Sequence, residues 1–396
     1  MKNHVLNPSR RRFLQASGAI GLGTVLMPSR VLAAVTGTPR VATRKFGRTG
    51  ADVSALGLGC MFDIINNQVI LRRCFDHGVT YWDTAASYSK GGSETGIGMF
   101  LERNPPARKE LFLVTKGRPA ELATTLDESL ARLKTDYVDL FFLHGMDSIG
   151  KVDKPEIKAW AEKAKKAGKI KFFGFSTHSN MAQCLIGAAK LGWIDGIMLT
   201  YNYRIMHGDE MKAGIDACEK AGIGLTAMKT QAPRQGAETP GQAALLTPLL
   251  GRGFTPGQAK LKMVMENPQI ACACIQMPNM NFCRENIAAA LNRTKLAATD
   301  RAVLERHAAA TCDAYCAGCS HLCEPAISHA VPVRDVMRHL MYHDHYPEVD
   351  ARAIFAELPA DVRARLQQVD YSAAERVCPH RLPIAQLMHQ AARALA

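Results

Sequence analysis

Short apolar runs alternate along this chain with longer segments in which apolar residues recur at three and four positions, the helical period. The runs predict strands at Thr80 to Asp83, Leu111 to Thr115, Val138 to Leu143, Ile170 to Gly174, Gly196 to Thr200, Ile223 to Ala227 and Ala271 to Ile275. Lys45 to Gly59 reads as a small hairpin leading into a first strand. The periodic segments predict helices at Val69 to His77, Glu94 to Arg103, Glu121 to Leu133, Glu156 to Lys166, Met181 to Leu191, Glu210 to Ala221, Gly257 to Glu266 and Glu285 to Leu291. Repeated strand–helix units imply a parallel sheet with right-handed crossovers, and about eight of them close a barrel. A doubly wound sheet is disfavoured, because no Gly-x-Gly-x-x-Gly opens the first helix. The predicted fold is therefore α/β: a (β/α)8 TIM barrel over residues 43–295, with a C-terminal α-helical, cysteine-containing extension over 296–396. A Gly-, Pro- and Gln-rich excursion, Thr230 to Thr255, follows the seventh strand, and loops of that length are usually functional.

Composition changes the picture at the N-terminus. The 396 residues are 47% hydrophobic and 21% charged, as expected of a globular chain, with formal charge +13. Lys2, Arg10, Arg11, Arg12 and Arg30 precede Ala33 with no acid among them, so +8 belongs to the remainder. That surface is mildly basic, and no basic–aromatic stripe suggests nucleic acid. Ser9-Arg10-Arg11-Arg12-Phe13-Leu14-Gln15 resembles the twin-arginine export motif; a weakly apolar run from Ala16 to Met27 and the small-residue site Val31-Leu32-Ala33-Ala34 follow. The run is too short to span a bilayer as an ordinary helix, and no Cys stands at the cleavage site to carry a lipid. The expectation is a signal peptide over residues 1–34, cleaved near Ala33/Ala34, and a mature protein in the periplasm without a stable membrane anchor.

Candidate chemistry collects at predicted strand ends. The stretch Tyr81 to Gly98 carries a strand into Asp83, then a loop bearing Tyr88, then a helix for which Ser93 is the expected N-cap and Glu94 suits the dipole. Lys116 and His144 each terminate the apolar strand that follows. Any one of these has a bland reading: an Asp tying its own loop, a Lys reaching solvent, a His satisfied at a strand end. Together they place acid, phenol, ammonium and imidazole on consecutive rims, where barrel enzymes keep their chemistry. A phenol near pKa 10 is a poor acid at neutral pH; an adjacent ammonium favours the phenolate, and Asp83 would keep Lys116 charged. Such a site can polarise a carbonyl and protonate its oxygen as hydride arrives at carbon.

Asp-Thr-Ala-x-x-Tyr, Thr-Lys-Gly, Asp-Tyr-Val-Asp-Leu…Leu-His and Gly-Phe-Ser resemble the aldo-keto reductase superfamily over Lys45 to Leu291. The resemblance implies Tyr88 as general acid, Lys116 and Asp83 as its tuning pair, and His144 as the residue that orients the carbonyl. It also implies NADP(H), with Ser176, Thr177, Met228, Lys229, Glu285 and Asn286 as cofactor contacts. Here the sequence departs from the family pattern: Thr177 stands where many members carry Asn, Met198 where they carry Gln, and Phe282 where an Arg often grips the 2′-phosphate.

Of twelve cysteines, Cys60, Cys74, Cys184, Cys218, Cys272, Cys274 and Cys283 are scattered among apolar segments, where free Cys acts as a small hydrophobe. The others form C-x3-C-x2-C-x3-C from Cys312 to Cys323, with Cys378-Pro379 downstream. Three close cysteines plus a remote Cys-Pro resemble ferredoxin ligation, which implies a [4Fe-4S] cluster on Cys316, Cys319, Cys323 and Cys378, with Cys312 as the alternate. Zinc on the same thiolates, or disulfides, are the competing readings. His321, His329, His343 and His345 could join a metal site, but Tyr-His-Asp-His-Tyr at 342–346 is expected to face solvent; Val333 to His343 and Asp350 to Leu366 are expected to be helical. The leading reading is an exported oxidoreductase acting on a small carbonyl or alcohol, with a redox partner for the cluster. The alternative is a catalytically silent barrel serving as a binding or electron-relay partner.

Overall fold

The computed structural model describes residues 37–234 and 238–396. The proposed signal segment, 1–34, therefore lies outside the described residues. Eight parallel strands close a barrel: Leu56–Gly59, Tyr81–Asp83, Phe112–Gly117, Val138–Leu143, Ile170–Thr177, Gly196–Thr200, Gly224–Met228 and Cys272–Gln276, the last pairing with the first. All eight fall where the apolar runs predicted them. Helices on the outside bury their apolar faces against strands such as Val138–Leu143, every residue of which is buried.

The hairpin, Thr43–Lys45 paired with Asp52–Ser54, caps the N-terminal end of the barrel. Its Phe46 ring is fully buried there, and Gly196 and Gly224 make room for it: a Cβ on either would lie 2.7 or 2.5 Å from the ring. One end of the barrel is thus plugged, which leaves the C-terminal strand ends as the open mouth.

Beyond Ala298–Ala310, a helix the pattern did not predict, the extension folds around a core of its own that includes Val336, Met337, Leu340, Phe355, Tyr371, Ile384 and Met388. Met61, from the loop after the first barrel strand, packs against that core. The expected helix Asp350 to Leu366 is two, Ala351–Ala356 and Ala360–Arg365, because Pro359 lacks the N–H and the freedom in φ that an unbroken helix needs. Two further helices, Ser372–Val377 and Ile384–Ala394, complete the tail. Ser93 is not the N-cap either. Gly91, at φ +88, takes that position, and Ser93 lies inside the helix Gly92–Arg103, donating from Oγ to the Cys60 carbonyl at 2.6 Å. Among the described residues no helix is long and apolar enough to cross a membrane.

Candidate active site at the barrel mouth

Asp83 ends the second barrel strand and Lys116 lies near the end of the third, so strand register brings their side chains together. Lys116 Nζ donates to Asp83 Oδ2 at 2.6 Å and to the Thr84 carbonyl at 2.8 Å, with only 1% of Lys116 exposed. Burial pushes the Asp83 carboxyl above the usual range, against the pull of Lys116. Tyr88 follows on the loop, its ring centroid 5.0 Å from Lys116 Nζ and 5.8 Å from the His144 ring, which meets it edge-on. The turn beyond it is strained: Ser89 and Lys90 have φ +50 and +53, a left-handed region that side chains rarely adopt and that clusters at working sites.

The electrostatics depart from the sequence expectation at Tyr88. Burial first, then the Asp83 charge, pushes its phenol well above 10, not below. Burial is the larger cause, and the ammonium that was expected to oppose it is matched by a carboxylate 2.6 Å away. His144 is driven down to about 3, by burial first and then by Lys116, Arg338 and Arg118. It is therefore a neutral imidazole at ordinary pH and can donate one hydrogen bond.

Asp83 and Tyr88 open onto a cavity of about 500 Å³, whose walls also include Met61, Met198, Met228, Lys229, Thr230, Gln231, Gln276, Asn279 and Phe282. Met228 and Lys229 thus stand where a cofactor contact was expected. Ser176 and Thr177 do not: Ser176 Oγ accepts from Gly145 N at 3.0 Å, and Thr177 Oγ1 donates to the Ser179 carbonyl at 2.7 Å, so both hydroxyls serve the loops. His178 takes their place on the wall, its Nδ1 bonded to Thr200 Oγ1 at 2.9 Å. Glu285 is exposed, while Asn286 is buried with its Nδ2 unpartnered. Asp83 Oδ1 and Thr230 Oγ1 are likewise buried without partners on the cavity wall. Orphaned buried polar atoms around one large cleft are what a polar ligand would satisfy.

Sequence reasoning missed the far wall. Tyr342 and Tyr346 from the tail line this cavity together with His345, contrary to the expectation that this stretch faces solvent; only His343 and His345 are exposed. The i, i+4 spacing of the two tyrosines, which puts both on one helix face, was the available signal.

The tail's cysteines lie close together. Cys316, Cys319, Cys323 and Cys378 line one small cavity, and Cys312 is not on its wall. All twelve cysteines are free thiols, and the seven scattered ones are buried. Burial pushes Cys316 and Cys323 up to about 12 and Cys319 to about 11. Among the described residues no three His, Cys, Asp or Glu side chains are arranged to hold a metal ion. Gly318, at φ +82, lets the cysteine loop dock on the barrel: its carbonyl accepts from Asn180 N at 2.9 Å and Ser179 Oγ at 3.1 Å.

Fold and site together define a (β/α)8-barrel protein whose mouth holds a buried acid–ammonium pair beside a phenol and a neutral imidazole. Residues 63–233 match the aldo/keto reductase family model. The chain is 28% identical over 244 residues to the aldo-keto reductase yakc (NADP(+)) of Schizosaccharomyces pombe, which covers 56% of this chain and 64% of that protein. It is 32% identical over 152 residues to the uncharacterized oxidoreductase YqkF of Bacillus subtilis, covering 34% of this chain and 48% of the other. The chain thus spans about half to two thirds of the length of these curated relatives. Among solved structures, an aldo-keto reductase from Klebsiella pneumoniae in complex with NADPH superposes with TM-score 0.56 and 26% identity, covering 67% of this chain and 94% of that one.

Proposed function

We propose that this chain is an NAD(P)-dependent oxidoreductase of the aldo-keto reductase type, reducing a small carbonyl or oxidising the corresponding alcohol. The carrying observation is the Asp83–Lys116 pair at 2.6 Å beside Tyr88, whose ring meets His144 edge-on, with Asp83 and Tyr88 on the wall of one cavity. A bound nicotinamide supplies the hydride. Tyr88 gives its phenolic proton to the substrate oxygen, and neutral His144 donates a hydrogen bond that fixes the carbonyl. Lys116, most of its charge matched by Asp83, offsets only part of the charge of the phenolate left on Tyr88. Met228 and Lys229 at the seventh strand end, and Asn286 with its buried, unpartnered Nδ2, are the proposed cofactor contacts; the relatives' printed NADP(+) and NADPH support that choice. Quenching of intrinsic fluorescence by NADPH, followed by its oxidation with aldehydes, tests the reading; protein that neither binds NADPH nor NADH would sink it.

The tail is proposed to hold a [4Fe-4S] cluster through Cys316, Cys319, Cys323 and Cys378. Support comes from the four thiols that line one small cavity and from their spacing; a zinc site would instead draw four sulfurs to about 2.3 Å from one metal. A bound cluster stores one electron, and the thiols must shed their protons to hold it. Anaerobically purified protein should be brown with stoichiometric iron and sulfide. Colourless protein with one zinc per chain would overturn the assignment. Export by the twin-arginine route, which carries folded proteins, agrees with a cofactor inserted before passage and is proposed with it.

A further inference from the structure

The tail helix Val333–His345 turns one face to the barrel mouth and sets Tyr342 on the cavity wall, with Tyr346 one turn on. Lys229 lies between them, its Nζ 4.4 Å from the Tyr342 ring centroid and 4.2 Å from that of Tyr346. The two rings meet edge-on at 5.4 Å. Lys229 holds this position at φ +56, a strained backbone that the surrounding contacts must maintain. The cavity is therefore flanked by two phenol–ammonium sets, Tyr88 with Lys116 on the barrel side and Tyr342 with Lys229 under the tail.

They differ in what neutralises the cation. Lys116 is matched by Asp83, whereas among the described residues Lys229 makes no ion pair with a carboxylate and faces only phenols. The groups facing Tyr342 are Lys229 and Tyr88 from the barrel, and Arg334, Arg338, His345 and Tyr346 from its own helix and its end; His178 and Glu348 also stand on the cavity wall. Arg334 and Arg338 share the carboxylate of Asp335, at 2.8 and 2.9 Å, and Arg334 reaches Asp147 only at 4.0 Å. Burial works to raise the Tyr342 phenol, and Lys229 and Arg338 outweigh it, so its pKa falls below 10. Every other buried tyrosine with a shift, Tyr88 included, moves the opposite way.

We propose that Tyr342, held by Lys229, is a second substrate-contacting phenol, which hydrogen-bonds a substrate hydroxyl while Tyr88 addresses the carbonyl, so that the preferred substrates are hydroxylated carbonyl compounds. This rests on the reductase reading of the same cavity. A hydroxyl suits the position because it can donate to an ionising phenol or accept from a neutral one. A substrate carboxylate, which only accepts, would compete with the phenolate for the one ammonium.

The test uses the full-length protein, Tyr342→Phe and Lys229→Met. Near-ultraviolet titration of tyrosinate should show one phenol ionising ahead of the rest in wild type. That phase should vanish in Tyr342→Phe and move up in pH in Lys229→Met; its presence unchanged in both variants overturns the pairing. Glycolaldehyde, the probe, should shift this ionisation, while acetaldehyde should not. In turnover, Tyr342→Phe should lower the kcat/KM preference for glycolaldehyde over acetaldehyde about tenfold or more, chiefly through KM, as expected for one lost hydrogen bond in a buried site. An equal loss on both aldehydes marks Tyr342 as merely structural and overturns the inference. Failure of wild type to reduce either aldehyde counts against the reductase reading alone, and the glycolaldehyde-dependent tyrosinate shift, present or absent, then decides the role of Tyr342.

Discussion

Lys116 and Asp83 meet at 2.6 Å in a place almost closed to water, with the side chains 1% and 5% exposed, and so act as a single neutral unit at the cavity wall. Two consequences follow from the same distance. The pair cannot lend its full positive charge to Tyr88 while the carboxylate stays ionised, and neither member can be removed without leaving the other stranded.

Lys116→Met is accordingly expected to cost stability as well as chemistry. Breaking a buried pair from one side costs about 3–5 kcal/mol, and the already raised pKa of Asp83 favours the lower end, because the stranded carboxyl can take up a proton. Urea unfolding of Lys116→Met against the double variant Asp83→Asn/Lys116→Met measures it. The double variant should recover part of the loss; a single variant as stable as wild type would contradict the coupling.

His144 sets a pH dependence with a definite sign. Its folded-state pKa of about 3 lies below the ordinary 6.5, so between these values the unfolded chain binds the proton and the folded chain does not. Stability from this group is present in full above about 6.5 and declines as pH falls toward 3. Denaturation midpoints across that window should fall with acid less steeply in His144→Gln than in wild type. The same shift predicts that turnover shows no protonation step near pH 6.5 from this residue.

Much of this could be read from the chain because strand and helix periods are local. The barrel strands follow largely from short apolar runs, and Asp83, Lys116 and His144 were legible as polar residues closing three of them, with Tyr88 on the loop after the first of these. The grouping of Cys316, Cys319 and Cys323 was legible for the same reason, since their spacing is local; Cys378, 55 residues on in sequence, was tied to them only by the ferredoxin-like Cys-Pro. What was not legible depends on contacts between distant segments. Tyr342 looked solvent-facing because nothing nearby in sequence says that its helix lies over Lys229. Ser176 and Thr177 looked like cofactor contacts, yet their hydroxyls are taken by Gly145 and Ser179, a choice made by loop geometry. Ser93 resembled an N-cap by residue type, but Gly91 accepts the left-handed conformation at lower cost and starts the helix earlier.

Gly318→Ala probes the junction between tail and barrel. An added Cβ would stand 2.3 Å from the His178 carbonyl oxygen at a residue with φ +82, so both packing and backbone oppose it. A loss of about 1–3 kcal/mol is expected. Hydrogen exchange should show faster opening of the tail helix Val333–His345 with the strand Val138–Leu143 still protected. Unchanged protection in the tail would show that the junction yields without cost.

Changing Arg10, Arg11 and Arg12 together to Lys should strand the precursor in the cytoplasm, because the export motif that Ser9 to Gln15 resembles depends on its arginines. Fractionation with a size shift on gels reads the outcome. Processed protein outside the membrane in that variant would contradict the export reading.

The central claim is that Tyr88 delivers the proton to a carbonyl oxygen while a nicotinamide delivers the hydride. Single-turnover oxidation of NADPH by a saturating aldehyde, in wild type and Tyr88→Phe, measures it directly, because the substitution keeps the ring against His144 and removes only the transferable proton. The account predicts a rate roughly 10²–10⁴-fold slower in Tyr88→Phe, with NADPH affinity within about twofold of wild type. A variant that oxidises NADPH at the wild-type rate with the same aldehyde would contradict it.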